Sequence, residues 1–249
     1  MIRVTIFKLS KAEMAVIPIV ERELILLSGH TLNQLGVWVK LLALTMNGPR
    51  IIRGKDDSLA MAQAQILLRS LIGVLVEAHN WLTKGVAAIR VKDIYLPLLD
   101  NEGSAAFSAM NKSFGKGMLP SMRSKFSYHN PTPRALERAF EDMDQEYPFD
   151  WYVADEHTNS FYSGCEAVVN SGMMAIAPGS NILEQSEAGW HLAIGTANQM
   201  SEFLGNLLAK LVEQNFPAGL RQSVTYVEGA PGPRTALSFY FEDLMVPTK

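Results

Sequence analysis

Apolar residues recur every three or four positions from Ile19 to Met46, through Val20, Leu24, Leu27, Leu32, Leu35, Val39 and Leu42, and this period predicts a long helix. Asn47-Gly48-Pro49 ends it. Arg53 to Asp57 is a polar connection, after which Ser58 is placed to cap a second helix running through Ala62, Ile66, Leu68, Ile72, Leu75 and Trp81 to about Thr83. Shorter helical stretches follow at Asp93 to Leu99 and Ala105 to Phe114, with Asn101-Glu102-Gly103 as the break between them. Gly115 to Gly117 sets off Met118 to Tyr128. Pro131 and Pro133 stop that stretch, because the residue before a proline is pushed away from helical geometry. Thr132 then caps a helix from Pro133 to about Asp144. Phe161 to Ile176, closed by Pro178-Gly179, and Leu183 to Val212, closed near Phe216-Pro217, complete the helical part. In the last of these, Gly189, Gly195 and Gly205 are expected where helices pack closely.

The period changes from three or four to two near the end of the chain. Ser223 to Val227 and Ala236 to Phe241 are β-prone runs divided by Gly229-Ala-Pro-Gly-Pro233, the pattern of a hairpin at about 221–246. Ile2, Val4 and Ile6 alternate in the same way, so an N-terminal strand can join that hairpin in one sheet. With no internal repeat or linker, the expected fold is mainly α: a single domain over 1–249, an up-and-down helical bundle with a small C-terminal β-hairpin.

Composition narrows the setting. The chain has 249 residues, enough for a sizeable core, and 48% apolar with 19% charged residues is the balance of a folded globular protein. A net charge of −3 confines any nucleic-acid contact to a local basic site. Cys165 is the only cysteine, so an intrachain disulfide and a cysteine-rich zinc site are both excluded; it is expected to be buried. The opening Met1 to Lys8 lacks an apolar core with a cleavage site, and no run of about eighteen uninterrupted apolar residues follows. A cytoplasmic protein with no membrane partner is the expectation.

The chemistry concentrates in Arg123-Ser-Lys-Phe-Ser-Tyr-His129-Asn130-Pro131. Arginine holds a phosphate through a planar fork of donors, and histidine moves a proton near neutral pH. RNA supplies its own nucleophile in the 2′-OH, so metal-free cleavage needs only a group to take that proton, charge on the phosphate and help for the leaving oxygen. His129 suits the proton transfer and Arg123 the phosphate charge, with no metal or other cofactor required. Six steps of roughly 100° put the two side chains about 120° apart on an ideal helix. Either the helix unwinds before Asn130-Pro131, or the site is shared across a two-fold dimer. Lys112, Lys116, Arg123, Lys125, Arg134 and Arg138 cluster around the motif and an acidic stretch follows from Glu141 to Glu156, so a basic ligand-binding face and an ordinary solvated face both fit. Tyr128 is a candidate to stack on an unpaired base, whereas spacing favours core packing for Phe126.

Over about Leu119 to Phe140 the chain resembles HEPN-domain proteins, in which arginine is followed four to six residues later by histidine near a bundle helix, and in particular the abortive-infection type. Trp151-Tyr-Val and Asn159-Ser-Phe-Tyr add a vaguer likeness. The resemblance implies a helical bundle, frequent homodimerisation with both motif copies at one cleft, and in many members metal-independent RNA cleavage by a toxin or phage-defence effector with a neutralising antitoxin or other defence protein as partner. It makes Arg123 and His129 catalytic, with Ser124 and Asn130 as supporting polar groups and Lys125 and Lys116 placing the RNA backbone. The residue after the arginine, often Asn, Asp or His in that family, is Ser124 here, whose hydroxyl can still donate or accept.

Two other readings compete. Many HEPN proteins are noncatalytic, so the bundle would instead be a nucleotide-, RNA- or protein-binding module. Asp155-Glu156-His157 gathers possible metal ligands, but three consecutive residues on regular structure cannot all point at one ion. Glu77, His79 and Arg69 read as packing or surface residues, and His30 and His191 as hydrogen-bonded residues of apolar helices.

Overall fold

The computed structural model describes residues 2–47, 57–115, 117–127, 131–147, 149, 151–152 and 161–227. Its elements in chain order begin with β1 (Ile2–Lys8), α1 (Lys11–Ala15), α2 (Ile19–Asn47), α3 (Asp57–Thr83) and α4 (Gly85–Arg90). A π-helical turn, Val91–Tyr95, and a 3-10 turn, Leu96–Leu98, lead to α5 (Asn101–Gly115). Then come α6 (Met118–Met122), a second π-helical turn (Arg123–Ser127), α7 (Pro133–Glu141), β2 (Trp151–Tyr152), β3 (Phe161–Tyr162), α8 (Ser163–Met174), α9 (Ile182–Asn215) and β4 (Arg221–Val227). The fold is mainly helical, with two small two-stranded antiparallel sheets among the described residues, β1 with β4 and β2 with β3. The chain divides into two compact units, one of Met1–Val37, Val74–Lys116 and Ile194–Gly232, the other of Trp38–Gly73, Gly117–Ala193 and Pro233–Lys249.

In the first unit, β1 pairs with β4 in antiparallel register from Ile2↔Val227 to Lys8↔Arg221, so the two ends of the described chain meet as the alternation of Ile2, Val4 and Ile6 suggests. The expected hairpin partner, Ala236 to Phe241, lies outside the described residues. Ser10 and Glu13 form a reciprocal capping box that starts α1, and Glu13 also meets Arg221 at 3.2 Å. The core gathers Leu24, Leu35, Leu75, Tyr95, Met110, Phe114, Met200, Phe203, Leu207 and Leu211, all buried. The rings of Phe107 and Phe203 lie 4.8 Å apart, close to the usual packing distance of aromatic pairs. A buried carboxylate, Glu21, accepts from Arg90 at 2.7 Å.

Two expected boundaries move. Asn101-Glu102-Gly103 does not break the chain; it opens α5, because Asp100 caps that helix by accepting from the Gly103 amide at 2.7 Å. Gly103 serves a close approach instead, since a Cβ there would meet Asn206 at 3.0 Å. The helical stretch expected from Asp93 already begins at Gly85, whose φ of 77° lies where glycine is favoured.

In the second unit, α7 and the π-helical turn 123–127 pack on α8. Thr132 caps α7 as its sequence implies, accepting from the Ala135 amide at 3.3 Å. Asn181 caps α9 by accepting from the Glu184 amide at 3.0 Å. Phe161-Tyr162, expected as the start of a helix, is instead a strand paired with Trp151–Tyr152; aromatic residues favour that extended pairing, and α8 begins only at Ser163. Cys165, in the first turn of α8, is exposed rather than buried. Ser58, expected as a cap, lies inside α3. Of the three α9 glycines, Gly189 does serve close packing, with Met174 Sδ only 2.7 Å from the position of a Cβ, whereas a Cβ on Gly195 or Gly205 would meet no other described side chain within 4 Å.

The stretch Met61–Thr83 of α3 is long and apolar enough, by length and composition, to cross a membrane, and 61% of its 18-residue apolar window is buried. A helix that is apolar all round is satisfied by a protein core as well as by lipid.

Candidate functional site

The motif arginine sits where helix geometry changes. Arg123 follows α6 and opens the π-helical turn Arg123–Ser127, so the six-step, 100° reckoning from an ideal α-helix does not hold for this segment. Insertions of this kind are frequent at functional sites, and here the turn is held from below. Phe126 is buried, as its spacing suggests, and its ring lies directly over Gly172 of α8: a Cβ on Gly172 would stand 2.9 Å from Phe126 Cε1 and 3.1 Å from Ala139 Cβ. The missing side chain at 172 is what lets the turn and α7 both approach α8.

Arg123 is half-buried, while Ser124 and Lys125 are exposed. Ser124 Oγ donates to the Ser121 carbonyl at 3.2 Å, so its hydroxyl proton is engaged within its own helix. On α7, Arg134 and Arg138 stand four residues apart and both are exposed. Lys125, Arg134 and Arg138 therefore give the second unit three exposed cations within fourteen residues, followed at once by the exposed carboxylates Glu141, Asp142, Asp144 and Glu146. Lys112 is exposed on α5, in the other unit. Lys116, Tyr128, His129 and Asn130 lie outside the described residues, as do Asp155, Glu156 and His157. Among the described residues no three His, Cys, Asp or Glu side chains converge as metal ligands.

A second polar site escaped sequence reasoning. Arg69 of α3, read above as packing or surface, donates through Nη1 to Asn170 Oδ1 at 2.8 Å and through Nη2 to Glu166. Asn170, only 2% exposed, donates in turn to Gln65 Oε1 and to the Glu166 carbonyl. Gln65 and Asn170 form one wall of a 230 Å³ cleft, with Met61, Ala167 and Ile182 supplying apolar surface and Asp142 and Asp144 lying at the loop after α7. Every hydrogen-bonding group of Asn170 is thereby used inside the protein, which marks the cluster as a structural tie between α3 and α8. A lone arginine amid the apolar run Ile66 to Leu75 was the available signal, since arginine is rarely buried without a partner.

Three further histidines, His30, His79 and His191, lie among the described residues. His79 stacks on Phe114 with ring centroids 3.9 Å apart, and its Nε2 lies 3.1 Å from Asn111 Oδ1. Burial pushes its imidazole below the ordinary value, Lys84 adds to that, and the Asn111 bond partly opposes it. His30 on α2 and His191 on α9 are both exposed, and His191 stands 3.6 Å from Glu187 one turn away.

Protein-family models, curated proteins and solved structures all give no match to this chain, so its functional reading rests on its own residues.

Proposed function

We propose that this protein is a metal-independent endoribonuclease of HEPN type, acting as a homodimer and serving as a toxin or phage-defence effector. The observation that carries the reading is the placement of Arg123 at the head of a π-helical turn anchored through Phe126 and Gly172, with Lys125, Arg134 and Arg138 exposed on the same unit. Anchoring fixes a phosphate-binding guanidinium on a rigid support, and the exposed cations attract a polyanion. In the proposed reaction His129 accepts the 2′-hydroxyl proton, the 2′ oxygen attacks phosphorus, and the bond to the 5′ oxygen breaks, that oxygen taking up a proton from the His129 imidazolium or from water. The products are a 2′,3′-cyclic phosphate and a 5′-hydroxyl. Arg123 stabilises the charge that grows on the phosphoryl oxygens.

Purified wild type and His129→Ala, incubated with labelled single-stranded RNA and the matching DNA in chelator, test this reading. Expected is RNA cleavage that the variant loses and that DNA does not support. Cleavage unchanged in a folded His129→Ala protein would remove the mechanism. The hydrogen bond of Ser124 to Ser121 favours one rival, a noncatalytic binding module, because it leaves the motif one supporting donor short. That rival predicts saturable RNA or nucleotide binding with no turnover.

A further inference from the structure

The cleft beside the Arg69 tie has a volume of 230 Å³, and every residue lining it belongs to the second unit. It is formed by α3, α8, the start of α9 and the loop after α7. That volume has room for about eight waters, or for a molecule of about ten non-hydrogen atoms. Two of its apolar liners, Met61 and Ile182, remain 38% and 48% exposed, carbon surface that the carbon body of a ligand would remove from water.

Three polar groups of the wall have unused hydrogen-bonding capacity. Gln65 gives its Oε1 to Asn170, which fixes the amide, while its amide nitrogen meets no acceptor among the described residues. The hydroxyls of Ser171 and Ser186 likewise have no partner among the described residues, whereas Ser70, Ser108 and Ser113 each donate to the carbonyl four residues back. A concave apolar wall with a few fixed and unengaged polar groups is the usual make-up of a small-molecule site.

Charge then selects the ligand. Asp142 and Asp144 line the cleft, and no described lysine, arginine or histidine does. Arg69, which reaches Asn170 from α3, is paired with Glu166. Asp144 Oδ1 accepts from the Glu146 amide at 2.9 Å, which orders the loop, and neither aspartate meets a cation among the described residues. Tyr147 brings an aromatic ring to the same cleft, set edge-on to Phe149 with centroids 5.9 Å apart, and an aromatic face attracts a cation as a carboxylate does. Two carboxylates beside apolar wall suit an organic cation better than a metal ion, which calls for six or more oxygen ligands.

We propose that this cleft is a binding site for a small organic cation, a primary amine carried on an apolar body. The ammonium sits at Asp142 and Asp144, and the carbon body lies on Met61 and Ile182. The proposal stands on the cleft alone and not on the motif at Arg123, so amine binding and RNA cleavage are lost or kept independently.

Isothermal titration calorimetry of the full chain tests it with two probes, tyramine and hexylamine, and with 3-(4-hydroxyphenyl)propanoate, which puts a carboxylate where tyramine has its ammonium. At least one amine is expected to bind with a Kd below about 1 mM, and the propanoate not at all. Asp142→Asn with Asp144→Asn keeps an oxygen for the Glu146 amide and should weaken the amine by roughly tenfold. Ile182→Ser should weaken it by about fivefold. Circular dichroism confirms that both variants keep their helix content, since all three positions are exposed. No saturable binding of either amine, a propanoate as tight as tyramine, an affinity indifferent to the double amide variant, or full displacement of the amine by an equal concentration of magnesium chloride would overturn the proposal.

Discussion

Substitution of Gly172 by alanine tests the seat on which the motif turn rests. The added Cβ would stand 2.9 Å from Phe126 Cε1 and 3.0 Å from Cζ, so the ring must retreat about half an ångström to reach the 3.4 Å of an ordinary contact. Phe126 is 6% exposed and cannot swing into solvent without giving up its burial. Overpacking of this kind costs about 1–3 kcal/mol, while replacing a helical glycine by alanine returns up to about 1 kcal/mol. The net expectation is a loss of about 1–2 kcal/mol, or roughly 2–8 °C in Tm for a chain of this size. Thermal denaturation followed by circular dichroism reads it. Phe126→Leu alone should also destabilise, by about 1–2 kcal/mol, but it removes the atoms that clash. The double variant should therefore be more stable than the sum of the singles predicts, by about 1 kcal/mol. A Gly172→Ala protein more stable than wild type, or strictly additive behaviour with Phe126→Leu, would refute the contact and with it the account of how Arg123 is supported.

Three further outcomes follow from the polar groups. Asn170→Ala leaves Arg69, Gln65 and the Glu166 carbonyl each short of a partner, and urea unfolding should show a loss of about 2–3 kcal/mol; a neutral result would mean that water replaces the amide and the tie is dispensable. Arg90→Ala strands the buried Glu21 carboxylate, a loss of about 2 kcal/mol once the partial exposure of Arg90 is allowed for, and Glu21→Gln should cost less; the reverse order in unfolding experiments would contradict a buried charge in need of its partner. Burial holds the His79 imidazole below its ordinary value of 6.5, so the unfolded chain takes up its proton first as pH falls. Its contribution is complete above that value and diminishes as pH drops below it, until the lowered folded value is passed. Tm measured from pH 7.5 to pH 5 should fall less steeply in His79→Gln than in wild type, and parallel curves would show that His79 is not the group responsible.

Helices were legible wherever apolar periodicity was long. The reading of Ile19 to Met46 agrees with α2 to within a residue, and that of Leu183 to Val212 with α9 to within a few, because many positions vote for the same period. Errors collected at short elements whose limits depend on one side chain or one glycine. Asp100 caps α5 from just upstream of the turn-like residues that drew attention, and Gly85 begins α4 from within what reads as a loop. Phe161-Tyr162 reads as the start of a helix, and only the distant partner Trp151–Tyr152 makes it a strand. Period alone also misjudged environment: it says that α2 has faces, but the polar residues of α2 include several that face inward, which composition along a helix does not disclose.

The candidate site shows the same division between what is local and what is not. That Arg123 and its neighbours form a cationic segment is written in consecutive residues, and the exposed Lys125, Arg134 and Arg138 agree with it. What supports the segment comes from elsewhere in the chain: Gly172 lies 46 positions after Phe126, and Asn170, two residues before it, faces α3 through Arg69. Helix α8 thus bears the motif turn on one side and the Arg69 tie on another, so displacement of α8 is the shortest physical route by which a distant change could reach Arg123. The consequence separates two kinds of variant. Substitutions at Arg123 or His129 should remove RNA cleavage at unchanged stability, whereas Asn170→Ala and Gly172→Ala should lower both together, with cleavage recovering as temperature is lowered and the folded state is repopulated. Cleavage lost in Asn170→Ala at full folding would mean that α8 sets the geometry of the site as well as holding it up.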